Sequence, residues 1–185
     1  ATKLAADRKV VGAVTHYCSA VAMGTVNVYH KFGLPVTVWG AVLPDITYGN
    51  DFAEVTRVNG TMINQNETAA KFMVDKGYKT WAIIHDTTDY GKGHNTFFTK
   101  FLEEGGGKIV GTFGVTSDQQ DFTAELTQIK QLNPDVVYFA GLTPLGVRVR
   151  QQMDKLGELM RQQQQLMDET MRADRERDMG MDGAG

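Results

Sequence analysis

From Asn66 to Leu156 the chain alternates short apolar, β-branched runs with amphipathic stretches, and that rhythm confines it to one class of fold. Glu67 to Lys76 has helical periodicity and is stopped by Gly77, and Thr80 to Ile84 is an apolar run of strand length. Gly93 to Glu104 reads as a helix ended by Gly105, Gly106 and Gly107, and Ile109 to Val115 reads as a strand. Asp121 to Leu132 is a helix with Asp at its start, stopped by Asn133 and Pro134. Asp135 to Ala140 is the next strand and Pro144 to Leu156 the next helix. Strands separated by helices of roughly 10 to 15 residues pair in parallel through crossovers, so the pattern predicts an α/β fold.

The earlier part follows the same grammar less regularly. Lys9 to Thr15 is a β-branched run short enough for a buried strand, and Ser19 opens a helical stretch to about Lys31, with its hydroxyl as the N-cap. Gly33 ends that helix, Pro35 breaks the chain, and Val36 to Trp39 is a second short strand. Pro44 and Asp45 break it again before Phe52 to Asn59, a strand or crossover leading to Gly60. Two α/β lobes fit this arrangement better than one continuous sheet. The first residues, ATKLAADRK, lack the apolar core and cleavage site of a signal peptide and read as the end of a helix, as if the chain begins in mid-domain. From Glu158 the composition changes: four consecutive glutamines, five methionines, dense alternating charge and no aromatic residue. Leu156, Met160, Met167 and Met171 share a face at helical spacing, which predicts a solvated helix that frays after about Asp178, with a disordered DMGMDGAG end.

Composition excludes several functions. The 185 residues are 42% hydrophobic with a net charge of −3, which gives no footprint for nucleic acid or for an anionic membrane surface. No apolar run approaches the roughly 18 residues that span a bilayer. Cys18 is the single cysteine, so no intrachain disulfide forms.

The residues with chemical potential gather at strand ends. In Lys79–Gly93, KTWAIIHDTTDYGKG, an apolar strand runs into a polar loop, with Tyr90 just before a glycine-flanked helix start. Open α/β sheets bind ligands at such strand ends, and a phenol held there hydrogen-bonds a small polar ligand. Similar ends occur at His16-Tyr17-Cys18-Ser19, at Trp39-Gly40-Ala41-Val42 and at Ala140-Gly141-Leu142. Ser19 combines a hydroxyl with the free N–H groups of a helix start, a natural carboxylate site. The four histidines, His16, His30, His85 and His94, show no metal-ligand spacing, so no metal and no cofactor is expected. There is no GxGxxG, no GxxxxGK[ST] and no GxSxG, which leaves an enzyme reading resting only on His, Asp and Tyr at strand ends.

Together these four strand-end segments resemble the substrate-binding proteins of branched-chain amino acid ABC transporters, the leucine/isoleucine/valine-binding type, over about residues 1–157. The resemblance implies two Rossmann-like parallel-sheet lobes of the type I periplasmic binding protein fold, both incomplete, followed by a helical tail. It divides the chain into 1–60, the C-terminal part of lobe 1; 61–157, the N-terminal part of lobe 2; and 158–185, the tail, with the hinge near Gly60. It implies ligand contacts from Ser19 to the α-carboxylate, from the Gly40, Ala41 and Val42 loop to the head group, and from Tyr90 and Leu142 across the cleft. Val42 stands where the family usually has a threonine, Leu142 where many relatives carry an aromatic residue, and Trp39 also departs from the common pattern. Members often pair a cysteine at the position of Cys18 with an earlier one. The acid that neutralises the ligand's ammonium and the first strand of lobe 1 would fall outside the matched stretch. That leaves an apolar strand edge expected to favour self-association. The implied function is non-enzymatic binding of a small amino acid or related carboxylate for uptake through a membrane permease, in the periplasm. A ligand-sensing receptor domain of the same fold, or an interaction module working through the tail, is the alternative.

Overall fold

The computed structural model describes residues 1–181, with side chains through Arg172. Its first sheet is formed by Ala13–Thr15 (β1), Val36–Val38 (β2) and Val55–Arg57 (β3), parallel and in that order. A short helix, Thr2–Ala6 (α1), precedes it, and Ser19–Phe32 (α2) crosses from β1 to β2. Alternation decides which side chains are buried. Val36 and Val38 face α2 and pack with Ala22, Val26, Tyr29 and Ile46. Val14, Thr37 and Thr56 stand in register on the opposite face, where no helix lies among the described residues and Val14 is 75% exposed.

The second sheet has the order β5-β4-β6, again parallel, from Thr80–Asp86 (β4), Lys108–Val115 (β5) and Val136–Ala140 (β6). Met62–Asp75 (α3) and Asp89–Glu104 (α4) cover one face, and Thr123–Leu132 (α5) and Thr143–Met181 (α6) cover the other. The continuous apolar run in β4 is explained by its central position. Trp81 and Ile83 pack against Ala70, Phe98 and Leu102, while Ala82 and Ile84 pack against Leu126, Ile129, Leu145 and Val149. Residues 58–61 carry the chain from one sheet to the other.

Several boundaries differ from those expected. β1 is confined to Ala13–Thr15 and β2 stops at Val38. α3 begins at Met62 rather than Glu67, and α4 at Asp89 rather than Gly93, so Tyr90 lies inside the first turn of its helix. The Thr88 hydroxyl accepts from Gly91 N–H at 3.4 Å and sets that earlier start. Ser19 is the first residue of α2 and not its N-cap, which is Cys18. Pro144 to Leu156 and the tail are one helix, α6, unbroken through Gly157. The helical cost of a mid-helix glycine, about 1 kcal/mol, is offset by Leu145, Val149, Met153 and Leu156 packing on the sheet. From residue 161 to 172 every side chain of α6 is exposed. The helix is described to Met181, past Asp178; of the stretch 178–185 expected to be disordered, residues 178–181 are helical instead and 182–185 lie outside the described residues.

Candidate ligand site between the two sheets

A cavity of about 250 Å³ opens where the C-terminal ends of both sheets face each other. The first sheet contributes Tyr17, Cys18, Ser19, Gly40 and Val42; the second contributes Thr88, Tyr90 and Leu142, and Gln65 of α3 completes the lining. Five of the six residues expected to bind a ligand therefore share one cavity. The sixth, Ala41, does not line it: its side chain is fully buried in the core of the first sheet. Another hollow, about 220 Å³ between α5 and α6, is bounded by one sheet's helices alone and gathers no strand-end residues.

On the first-sheet side, Ser19 ties two loops together. Its Oγ accepts hydrogen bonds from Val42 N–H and Leu43 N–H, both at 3.3 Å, which leaves its own hydroxyl hydrogen to donate. The first intrahelical bond of α2 runs from Ala22 N–H to Cys18 C=O, so the N–H groups of Ser19, Ala20 and Val21 precede it at the positive end of the helix. The Gly40–Leu43 loop contributes less free backbone than expected. Ala41 N–H donates to His16 C=O at 2.9 Å and Val42 C=O accepts from Met62 N–H at 2.9 Å. The half-buried guanidinium of Arg57 fixes the loop's shape, donating to the carbonyls of Ala41, Leu43 and Pro44 and to Thr47 Oγ1. Gly40 has a separate reason to be glycine: a Cβ there would lie 2.8 Å from the Tyr17 ring and 3.2 Å from Tyr17 Cα.

On the second-sheet side, the start of α4 is folded over Asp86. This buried carboxylate accepts from Thr88 N–H at 2.9 Å and from the Thr88 hydroxyl, and it approaches Gly91 so closely that a Cβ there would lie 2.5 Å from Oδ1. Tyr90 projects from this turn. Burial is the main cause that pushes its phenol above the ordinary value, with the Tyr17 phenol and Asp86 adding to it. One turn on, the ring of His94 meets that of Tyr90 edge-on at 4.5 Å. His94 Nδ1 accepts from the Asn66 amide at 2.9 Å, the same amide donates to Met62 C=O at 2.7 Å, and Tyr138 O–H donates to Asn66 Oδ1 at 3.1 Å. This network assigns the proton to Nε2, which is buried without a partner. Burial lowers the His94 pKa, partly opposed by Asp86, and raises that of Tyr138 to about 12.

The remaining histidines have local partners. His16 bonds Tyr29 and Thr25, His30 bonds Glu54, and His85 bonds the Asp86 backbone. Tyr17, Cys18, Gln65 and Thr88 line the cavity beyond the six residues the sequence points to. Thr88 was legible, since a threonine followed by an acidic residue marks a helix start. Gln65 carried no such signal, because its proximity depends on how α3 leaves the crossing segment.

Two facing parallel sheets with a ligand-sized cavity at their strand ends are the architecture of a two-lobed binding protein. The chain belongs to the periplasmic binding protein family, whose sequence profile matches residues 1–178, so the match does not end at 157 as expected but runs on into the long helix as far as 178. Among curated relatives, the Leu/Ile/Val/Thr-binding protein of Salmonella typhimurium is 31% identical over 140 residues, which are 75% of this chain and 38% of that protein. The crystal structure of a leucine-binding protein from Thermotoga maritima superposes with a TM-score of 0.78 at 27% identity, covering 84% of this chain and 45% of the other. An ABC transporter solute-binding protein from R. palustris, solved in complex with 4-hydroxybenzoate, gives a TM-score of 0.63 at 28% identity, covering 74% of this chain and 37% of the other. The fold is therefore that of type I periplasmic binding proteins, represented here by parts of both lobes, and the chain spans 38% of the length of its curated relatives.

Proposed function

We propose that this chain supplies the facing walls of a solute-binding site for ABC-type uptake, and that it binds a small amino acid or a related carboxylate without catalysing a reaction. The observation that carries the reading is the cavity holding Ser19, Gly40, Val42, Tyr90 and Leu142 between two lobes. Ser19 Oγ–H and the leading N–H groups of α2 receive the carboxylate, Gly40 lets the ligand approach the main chain, and Tyr90 O–H donates from the opposite wall. Leu142 and Val42 form the apolar side of the pocket. Residues 1–60 and 61–157 act as the two lobes, and rotation about the segment at Gly60 brings them together on the ligand. The closed form is what a membrane permease recognises, in the periplasm, where the family works. The naming of relatives for leucine, isoleucine and valine, and the structure of another in complex with 4-hydroxybenzoate, support both halves of the ligand class.

Cys18 makes the test direct, because it is the only thiol and it lines the cavity. Leucine, valine, phenylalanine and benzoate are titrated against thermal unfolding and against alkylation of Cys18. A ligand that occupies the cavity raises the melting temperature with dose, by the equivalent of about 2.7 kcal/mol at a hundred times its Kd, and slows alkylation in parallel. Absence of both effects with every compound would overturn the reading.

A further inference from the structure

We propose that the ligand carries an aromatic ring as well as a carboxylate, and that Tyr17 and Trp39 select it; this rests on the solute-binding reading above. Tyr17 lines the cavity beside Ser19, the residue that receives the carboxylate, and is nevertheless 66% exposed. Trp39, 52% exposed, leans on it with ring centroids 5.5 Å apart at 40°. An exposed aromatic pair gains little from folding, and no core cluster accounts for either ring. The pair is nonetheless held in position. The backbone N–H of Trp39 donates to Thr15 C=O at 2.9 Å, which fixes the main chain that carries its ring, and the missing Cβ of Gly40 admits the Tyr17 ring against the loop. Tyr90 stands on the opposite wall, its own ring backed by His94, and Leu142 flanks it. A flat ring entering between Tyr17 and Tyr90 has an aromatic face or edge on both sides, whereas a branched aliphatic side chain makes only non-specific contact there. Tyr17 contacts the ligand; Trp39 acts through Tyr17 and is a positioning residue.

Titration calorimetry with benzoate, L-phenylalanine and L-leucine tests this on the full chain and on Tyr17→Leu, Trp39→Ala and Trp39→Phe. The better aromatic acid is expected to bind about tenfold more tightly than leucine, and Tyr17→Leu and Trp39→Ala each to remove most of that ratio. Trp39→Phe, which keeps a ring against Tyr17, retains it; a merely structural tryptophan would not show this rescue. Benzoate against phenylalanine distinguishes an acid without an ammonium group from an aromatic amino acid, and either one supports the inference. Leucine binding as tightly as both aromatic acids would overturn it while leaving the solute-binding reading intact. Variants that weaken all three ligands equally would do the same. No heat with any compound would overturn both.

Discussion

Ser19 joins the stability of the site to its chemistry. Its oxygen is the acceptor for two loop N–H groups and its hydrogen is the donor for a carboxylate, so Ser19→Ala removes both functions at once. Stranding Val42 N–H and Leu43 N–H beside a buried methyl is expected to cost about 1–3 kcal/mol of stability, and affinity is expected to fall about tenfold. Denaturant unfolding and calorimetry read the two effects separately; a variant that lost affinity with unchanged stability would show the loop bonds to be dispensable. His94 behaves differently. Burial keeps it neutral in the fold, with its pKa below that of the unfolded chain, so the unfolded state takes up the proton first as pH falls. Stability should therefore be full above about pH 6.5 and decline below it. In His94→Gln the stability measured from pH 7.5 to 5 should slope less; an equal slope would assign the loss to another group. Ser19 was legible in the sequence because a hydroxyl between a strand and a helix is a local signal. The support beneath Tyr90 was not, because Asn66, His94 and Tyr138 are brought together by three different elements.

At the level of elements, alternation and glycine stops revealed the strands and helices of the second lobe almost completely, and the boundaries failed where side chains rather than backbone signals decide them. α4 is the informative case. Reading its start at Gly93 discounted Thr88, Asp89 and the carboxylate of Asp86, which together build the turn that presents Tyr90. The turn tolerates no side chain at Gly91, since a Cβ would lie 2.4 Å from Asp86 O. Gly91→Ala is accordingly expected to destabilise by about 1–3 kcal/mol and to weaken ligand binding by moving Tyr90, seen as a lower melting temperature and a higher Kd. An alanine variant with native stability would mean that the turn relaxes freely. α6 shows the opposite failure: the change of composition at Glu158 suggests a change of element, yet the helix continues because its first turns are anchored on the sheet. Its described side chains from 161 to 172 are all exposed, so truncation after residue 160 should leave the melting temperature within about 2 °C of the parent. A larger drop would reveal a contact made by that stretch.

For the molecule as a whole, the two lobes differ in how completely their sheets are covered, and this governs behaviour in solution. Among the described residues, β4 is buried on both faces, whereas β1, β2 and β3 have a helix on one face only. The uncovered face carries Val14 with Thr37 and Thr56 beside it in register, and Val11 and Val58 at its margins are 85% and 73% exposed. β1 is also a sheet edge with unpaired backbone groups, and a short parallel edge bearing valines is a template for a second strand. A net charge of only −3 offers little repulsion between copies. The expected outcome is self-association through this sheet, visible in sedimentation velocity as a mean mass that rises with protein concentration. Val14→Lys, which places a charge on the edge strand at a position that is 75% exposed, should return the chain to monomer without lowering its melting temperature. A ligand that draws the lobes together acts at the far ends of the strands, so it should raise the melting temperature without dissolving the oligomer. A mass that stays monomeric over a wide concentration range would show the open sheet to be soluble as it stands, and a Val14→Lys chain that still associates would move the contact to another surface.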